Sequence, residues 1–250
     1  MELEIIVAVG LLIGLSAILY SSVGHGGGSG YLAVMALFSV TTEVMRPTAL
    51  VLNIAVAAIG FAAFYRRGAF SWRVLWPFAV TAVPMAFVGG LIHVPGVVYK
   101  PLLAAVLIYS AGYLFWPKAD PADDPGMRPP VLPALAIGAF VGLLSGVTGI
   151  GGGIFLSPIL LFRRWADTKT TAGVAAAFIL LNSASGLAGQ LQLLDSIPLD
   201  AIAVWVPLAV LGGFLGSRYG SRTPRNIHIQ RLLGVVLLVA AGKMLLTIGD

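Results

Sequence analysis

The sequence predicts an all-α integral membrane protein built from two inverted-topology repeats. Three observations lead there: an apolar, charge-poor composition, a glycine run that occurs twice at matching places, and cations whose placement reverses between the halves. Of the 250 residues, 58% are hydrophobic and 10% charged, whereas a soluble domain of this length carries roughly a quarter charged residues. The glycine runs are Gly24-His25-Gly26-Gly27-Gly28 and Gly149-Ile150-Gly151-Gly152-Gly153, 125 residues apart. Each ends an apolar stretch of helical length.

The first apolar run, Leu3 to Val23, follows Glu2, and no Lys or Arg occurs before Arg46. It lacks the basic start of a secretory signal and is expected to remain as a first helix. After the glycine run comes Ser29 to Val40, shorter than the ~20 residues a helix needs to cross the hydrocarbon core. It reads as a half-helix or re-entrant arm. Pro47 to Tyr65, Trp72 to Ile92 and Val98 to Trp116 then supply three spans. Residues 118–130, KADPADDPGMRPP, hold too much proline and acid for a buried helix and are expected to form a cytoplasmic linker. The second half repeats the order: Val131 to Val147, the second glycine run, the short arm Ile154 to Phe162, then Thr171 to Leu194, Ile202 to Gly216 and Leu232 to Ile248. The expected architecture is thus about eight long helices and two short arms, with the repeats at residues 1–117 and 131–250.

Cations set the orientation. Arg66, Arg67 and Arg73 lie between the second and third long helices of the first half, where the second half has only Asp195 and Asp200. The next loop reverses this, with Lys100 in the first half against Arg218, Arg222, Arg225 and Arg231 in the second. Under the positive-inside rule the halves insert in opposite senses, and both termini face outward. Lys118, Arg128, Arg163, Arg164 and Lys169 fall inside, leaving Arg46, Lys100 and Lys243 of the 15 cations outside. Arg46 and Lys243 are read as cations that snorkel to the outer interface, Arg46 having the further option of recruiting an anion. Trp72, Trp76, Trp116, Trp165 and Trp205 fall near helix ends, where interfacial belts form. Collinear pairs support the repeat: Pro77 with Pro207, Leu107 with Leu237 and Gly112 with Gly242 are 130 apart, and Asn53 with Asn182 are 129 apart.

Absences narrow the chemistry. With no cysteine, and with His25, His93 and His228 scattered, neither a disulfide nor a metal site is expected. No Walker or dinucleotide fingerprint occurs, no cofactor is expected, and the net charge of +5 reads as membrane topology rather than nucleic-acid binding. His25-Gly26-Gly27-Gly28 copies the oxyanion element of some esterases, but no G-x-S-x-G elbow accompanies it. His25 and Ser29 form no dyad in the second copy, where Ile150 and Ile154 stand. An enzyme is therefore not expected.

The glycine runs point instead to a ligand. Glycine permits φ > 0 and leaves N–H groups exposed, and the half-helix that follows aims the positive end of its dipole at the same spot. Inverted repeats with interrupted helices mark secondary transporters. All ten carboxylates fall in or beside loops, so the buried polar groups are mainly donors and suit an anion. The candidate site comprises Ser22, Gly24, His25, Gly26, Gly27, Gly28, Ser29 and Asn53 from the first half, and Thr148, Gly149, Gly151, Gly152, Gly153 and Asn182 from the second. The alternatives are packing for the glycines, interhelical bonding for the asparagines, and back-bonding to the helix's own carbonyls for the hydroxyls. His25 is read as an anion ligand when protonated, a proton carrier, or a neutral donor.

The repeated G-x-G-G-G tract, Pro158 after its second copy, Asn53 and Asn182 in the following helices, and Gly89-Gly90 and Gly212-Gly213 in the next resemble the sulfite exporter TauE/SafE family of membrane permeases. The resemblance covers nearly the whole chain. It implies export of small sulfur-containing anions, sulfite or sulfonates such as sulfoacetate, across the bacterial inner membrane. The first copy departs from the second in lacking a proline in Ser29-Gly30-Tyr31-Leu32-Ala33, and His25 replaces a small or apolar residue. The expectation is an alternating-access exporter with the anion between the two glycine loops. An anion channel, or a carrier of sulfate, thiosulfate or a carboxylate, is the alternative. Its partners are the anion, the bilayer and a coupling ion that the sequence leaves open between H+ and Na+.

Overall fold

In the computed structural model, the described residues are 2–22, 24–115, 129–220 and 227–248. They form helices α1 (Leu3–Ser21), α2 (Gly28–Leu37), α3 (Thr42–Tyr65), α4 (Trp72–Leu91), α5 (Gly96–Phe115), α6 (Val131–Thr148), α7 (Gly153–Phe162), α8 (Thr168–Gly189), α9 (Leu199–Gly220) and α10 (Ile227–Leu246). A short 3-10 helix, Leu191–Ser196, joins α8 to α9. Among the described residues seven helices, α1, α3, α4, α5, α6, α8 and α9, are long and apolar enough to cross a membrane. α10 runs for 20 residues, and the arms α2 and α7 are 10 residues each. The protein is an all-helical integral membrane protein, as expected. Most of the 118–130 linker, Trp116, Arg222 and Arg225 lie outside the described residues.

Several boundaries differ from the expectation: α8 ends at Gly189 rather than Leu194, α9 is longer at both ends, α10 starts at Ile227, and the starts of α3 and α8 have a visible cause. α3 begins at Thr42, so Pro47 lies inside it. Proline lacks the N–H that would bond back to Glu43, and the Glu43 carbonyl instead accepts from Ser196 Oγ at 3.2 Å. α8 begins three residues before Thr171 because Asp167 caps it, accepting from the N–H groups of Lys169 (2.8 Å) and Thr170 (3.0 Å).

Glycine stripes set the closest packing. On α6, a Cβ added at Gly138, Gly142 or Gly146 would lie 2.3, 2.2 or 2.0 Å from the carbonyl oxygens of Phe78, Ala82 and Ala86 on α4. On α9, Gly212 and Gly216 meet the carbonyls of Gly14 and Ile18 on α1, each at 2.2 Å. α1 therefore packs parallel to α9, and α4 parallel to α6, the small residues letting backbones touch. α3 runs antiparallel to α8: Leu50 lies beside Gly186, Gly60 beside Ala176 and Phe64 beside Gly173. α5 packs on α10. Large apolar side chains also cover the outside, among them Leu11, Leu132, Phe140, Phe162, Leu211 and Val239, which suits lipid as the surrounding solvent.

Some interfacial assignments need correction. Trp205 is fully buried and its indole N–H donates to Ile6 O at 2.8 Å, so it belongs to the α1–α9 core; Trp165 is also buried, while Trp72 and Trp76 are exposed. Lys243 does not snorkel free. Its ammonium donates to Leu37 O and Ser39 Oγ, binding the carbonyl end of α2, where the helix dipole favours a cation. Arg46 is 3% exposed, so it is buried at this end rather than snorkelling into solvent.

Candidate functional site

Each glycine run turns a long helix into a short arm with the same backbone conformations. Gly24 (φ 78°) and Gly149 (φ 83°) end the first leg, and Gly27 (φ 102°) and Gly152 (φ 82°) are the left-handed N-caps of α2 and α7. The arms also end alike: Ser39 and Arg164 have φ 57° and 54°, followed by N–H bonds from Val40 to Met35 O (3.0 Å) and from Trp165 to Leu160 O (2.9 Å). All three pairs are 125 residues apart. Only Gly151 (φ 88°) breaks the correspondence, Gly26 having no positive φ.

The loops come from opposite ends of the α3–α8 pair. Gly24 lies against Ala172 near the start of α8, and Gly149 against the Arg46 backbone near the start of α3. They meet between the helix midpoints, at Asn53 of α3 and Ile179 of α8. A Cβ on Gly28 would sit 2.4 Å from Ile150 O and 2.6 Å from Asn53 Nδ2. Asn53 Nδ2 donates to Ile150 O (3.1 Å) and more weakly to Gly149 O (3.4 Å), while Asn53 Oδ1 is buried with no partner. Ile179 touches Gly26, Gly151 and Gly153, as Asn53 touches Gly26, Gly28 and Gly151. In contact terms the counterpart of Asn53 is Ile179, not Asn182. Asn182 sits a turn further on, fully buried, with both amide atoms unpartnered. Ser183 and Ser145, also buried with unpartnered hydroxyls, flank Gly151 and Gly152.

The N-termini of both arms open on one small cavity. Tyr31 N–H makes the first bond of α2, to Gly27 O, and Phe155 and Leu156 N–H both go to Gly152 O. The first-turn N–H groups of Gly28 and Ser29, and of Gly153 and Ile154, have no intrahelical acceptor. Gly26 to Ser29, His25, Tyr20, Ile150, Ile154 and Ile179 enclose about 10 Å³, room for about one water. The conformation is closed at its centre, where the two loops touch. His25 is buried, with its ring 6.4 Å from that of Tyr113.

Several hydroxyls are committed elsewhere. Ser22 Oγ donates to Leu19 O and Thr148 Oγ1 to Leu144 O, both at 2.7 Å, so these two back-bond to their own helices. Ser29 Oγ donates to Tyr20 OH (2.8 Å). Tyrosines that the sequence did not single out brace the loops: Tyr31 OH donates to Gly26 O (2.5 Å) and Tyr99 OH to Thr148 O (2.9 Å). Ile150 and Ile179 were equally invisible as site residues, being apolar positions in apolar runs. Among the described residues no cluster of His, Asp or Glu could hold a metal.

Apolar helices broken by paired glycine loops define a membrane protein of the transporter class. The chain belongs to the sulfite exporter TauE/SafE family, whose model matches residues 6–244. It is 37% identical over 243 residues to a probable membrane transporter protein, y4hK, of Sinorhizobium fredii, covering 95% of this chain and 98% of that one. A probable sulfite/organosulfonate exporter TauE of Cupriavidus necator is 32% identical over 111 residues, 43% of each chain. A probable membrane transporter protein of Methanocaldococcus jannaschii is 26% identical over 187 residues, 70% of this chain and 69% of that one. No solved structure matches.

Proposed function

We propose that the protein is a secondary transporter exporting small sulfur-containing oxyanions, such as sulfite or an organosulfonate, across the bacterial inner membrane. The observation that carries this reading is the meeting of the two glycine loops at the midpoints of α3 and α8, where the first-turn N–H groups of both arms, without intrahelical acceptors, border one cavity. Neutral donors and two helix N-termini stabilise a desolvated anion without a fixed counter-charge. Asn53 joins the loops in the closed state, and an anion entering between them replaces that contact.

Residues 1–117 and 131–250 then form inverted repeats, with the linker in the cytoplasm and both termini outside. The antiparallel course of α3 and α8, and the exchange by which α1 packs on α9 and α6 on α4, support this. So does the 125-residue recurrence of backbone angles. The bodies that move are mixed: α1, α2 and α3 with α9, and α6, α7 and α8 with α4. Their rocking about the meeting of the two loops, between Asn53 and Ile179, exposes the site alternately, with H+ or Na+ as the coupling ion.

Purified protein in liposomes tests this directly. Saturable flux of sulfite or sulfoacetate, with trans-stimulation in counterflow, is the expected result, and sulfate, thiosulfate and a carboxylate define selectivity. Flux that neither saturates nor exchanges would assign a channel. Transport of an organic cation in place of anions would overturn the reading.

A further inference from the structure

Arg46 stands seven residues before Asn53 on α3, two turns or about 10 Å away. Its backbone is what a Cβ on Gly149 would strike, Arg46 O lying at 2.9 Å, so it abuts the start of the second glycine loop. Its side chain is 3% exposed. Nη2 donates to Ile92 O, the residue that ends α4, at 3.2 Å, and the guanidinium lies over the Tyr99 ring at 5.8 Å. Nε is buried with no hydrogen-bond partner, and among the described residues no carboxylate pairs with the group. Burying a cation without a counter-charge is costly, and one carbonyl and an aromatic face offset only part of that cost.

The arginine borders a cavity of about 60 Å³, several times the space one water needs, bounded by Thr42, Glu43, His93, Gly96 and Leu193. Two helices begin at its wall. Val44 and Met45 N–H bond to Thr41 O, and Val98 and Tyr99 N–H to Pro95 O, leaving the earlier N–H groups of α3 and α5 without intrahelical acceptors. The positive ends of both dipoles therefore face the space that Arg46 borders. Glu43, exposed on this rim, opposes them.

At the opposite end of the α3–α8 pair the matching position holds no buried cation. The position that Arg46 holds against Gly149 is held against Gly24 by Ala172, and Ala172 packs with Phe64 and Ala69 in a small apolar plug. One mouth thus carries a buried cation beside a cavity; at the other the matching position is closed by carbon, and Arg66, Arg67 and Lys169 are exposed around it.

We propose that Arg46 and its cavity form a capture site for a small oxyanion, an outer station, beside the start of the second glycine loop and two helical turns from Asn53, that selects for charge at this mouth. The inference rests on the reading of the chain as an anion carrier. The anion accepts from the Arg46 guanidinium and from the first-turn N–H groups, then passes along the α3 face to Asn53. A buried cation holds the anion more strongly than the exposed, screened cations around the Ala172 mouth, so affinity measured from the two sides differs.

The test measures sulfite transport by wild-type protein, Arg46→Gln, Arg46→Lys and Glu43→Gln in liposomes, together with the thermal shift each shows with sulfite in detergent, ionic strength being held constant with gluconate. Losing a charge-assisted bond should raise KM, and the sulfite needed for half the thermal shift, about tenfold or more in Arg46→Gln. kcat should change much less, and Arg46→Lys should recover part of the affinity. Glu43→Gln removes a repelling carboxylate from an exposed position and should lower KM severalfold. A folded Arg46→Gln with wild-type KM overturns the capture site and leaves the carrier reading standing. Should neither Arg46 variant fold, an unchanged or raised KM in Glu43→Gln overturns it instead. Wild-type protein that shows neither saturable oxyanion flux nor a thermal shift overturns the carrier reading, and the capture site with it.

Discussion

At Asn53 one side chain serves both glycine runs: its amide nitrogen bonds to Ile150 O, and its side chain lies against Gly26 and Gly28. Asn53→Ala removes that bond at a cost of about 1 kcal/mol, so the protein should remain folded, with only a small fall in melting temperature. Sulfite flux should fall at least about tenfold if the amide also helps to hold the ion. Gly28 makes the complementary case. Its backbone is not left-handed, yet a methyl group there would sit 2.4 Å from Ile150 O, so Gly28→Ala wedges the loops apart. We expect lost transport with a destabilisation of about 1–3 kcal/mol, read by thermal melting. Gly27→Ala is a less informative variant, because φ 102° strains any side chain wherever it points.

Among the elements, the stripe on α6 and the cap of α8 yield separate predictions. Gly142→Ala should lower the melting temperature strongly, since Ala82 O lies 2.2 Å from the new methyl and neither helix backbone can yield alone. Gly112→Ala on α5, with nothing within 4 Å, should be neutral or stabilising by up to about 1 kcal/mol. At Asp167 burial pushes the carboxyl pKa up, but bonds from the Thr170 hydroxyl and from the Thr170 and Lys169 N–H groups outweigh it and hold the value below the usual carboxylate range. A depressed folded-state pKa contributes stability above the unfolded value, about 4, and that contribution is lost as pH falls through the folded value. Asp167→Ala should therefore cost about 1 kcal/mol at neutral pH. The gap from wild type should close on acidification below about pH 4.

These elements were readable in the sequence because length and apolarity suffice to mark a span, and because glycines that break an apolar run stand out against it. Depth and facing were not. The asparagines Asn53 and Asn182 are 129 residues apart and pair naturally on paper, yet the loop contacts of Asn53 are matched by Ile179. A shift of three residues moves a position by most of a turn, and one-dimensional spacing cannot resolve it across an indel. Arg46 reads as an interfacial cation because it precedes a proline. The helix in fact starts at Thr42, which draws the arginine inward. Ser22 and Thr148 carry the right atoms for a ligand, but each hydroxyl hydrogen is directed to the preceding turn.

For the molecule as a whole, the orientation of the halves is the claim most open to test, and the absence of cysteine leaves a clean background. Single cysteines at Asp195 or Gly96 should react with an impermeant thiol reagent applied outside the cell, and one at exposed Gly68 should not. Labelling of positions 68 and 195 from one side would make the halves parallel and dismiss the inverted repeat.

The exchange of helices between the halves also bears on how the protein is made. α1 finds its glycine-lined partner only when α9 has been synthesised, some 200 residues later, and α4 must wait in the same way for α6. Until then the carbonyl-lined grooves of α1 and α4 have no glycine stripe to fill them. The same dependence makes the two halves obligate companions: expressed as separate polypeptides, each should be degraded alone and rescued by the other.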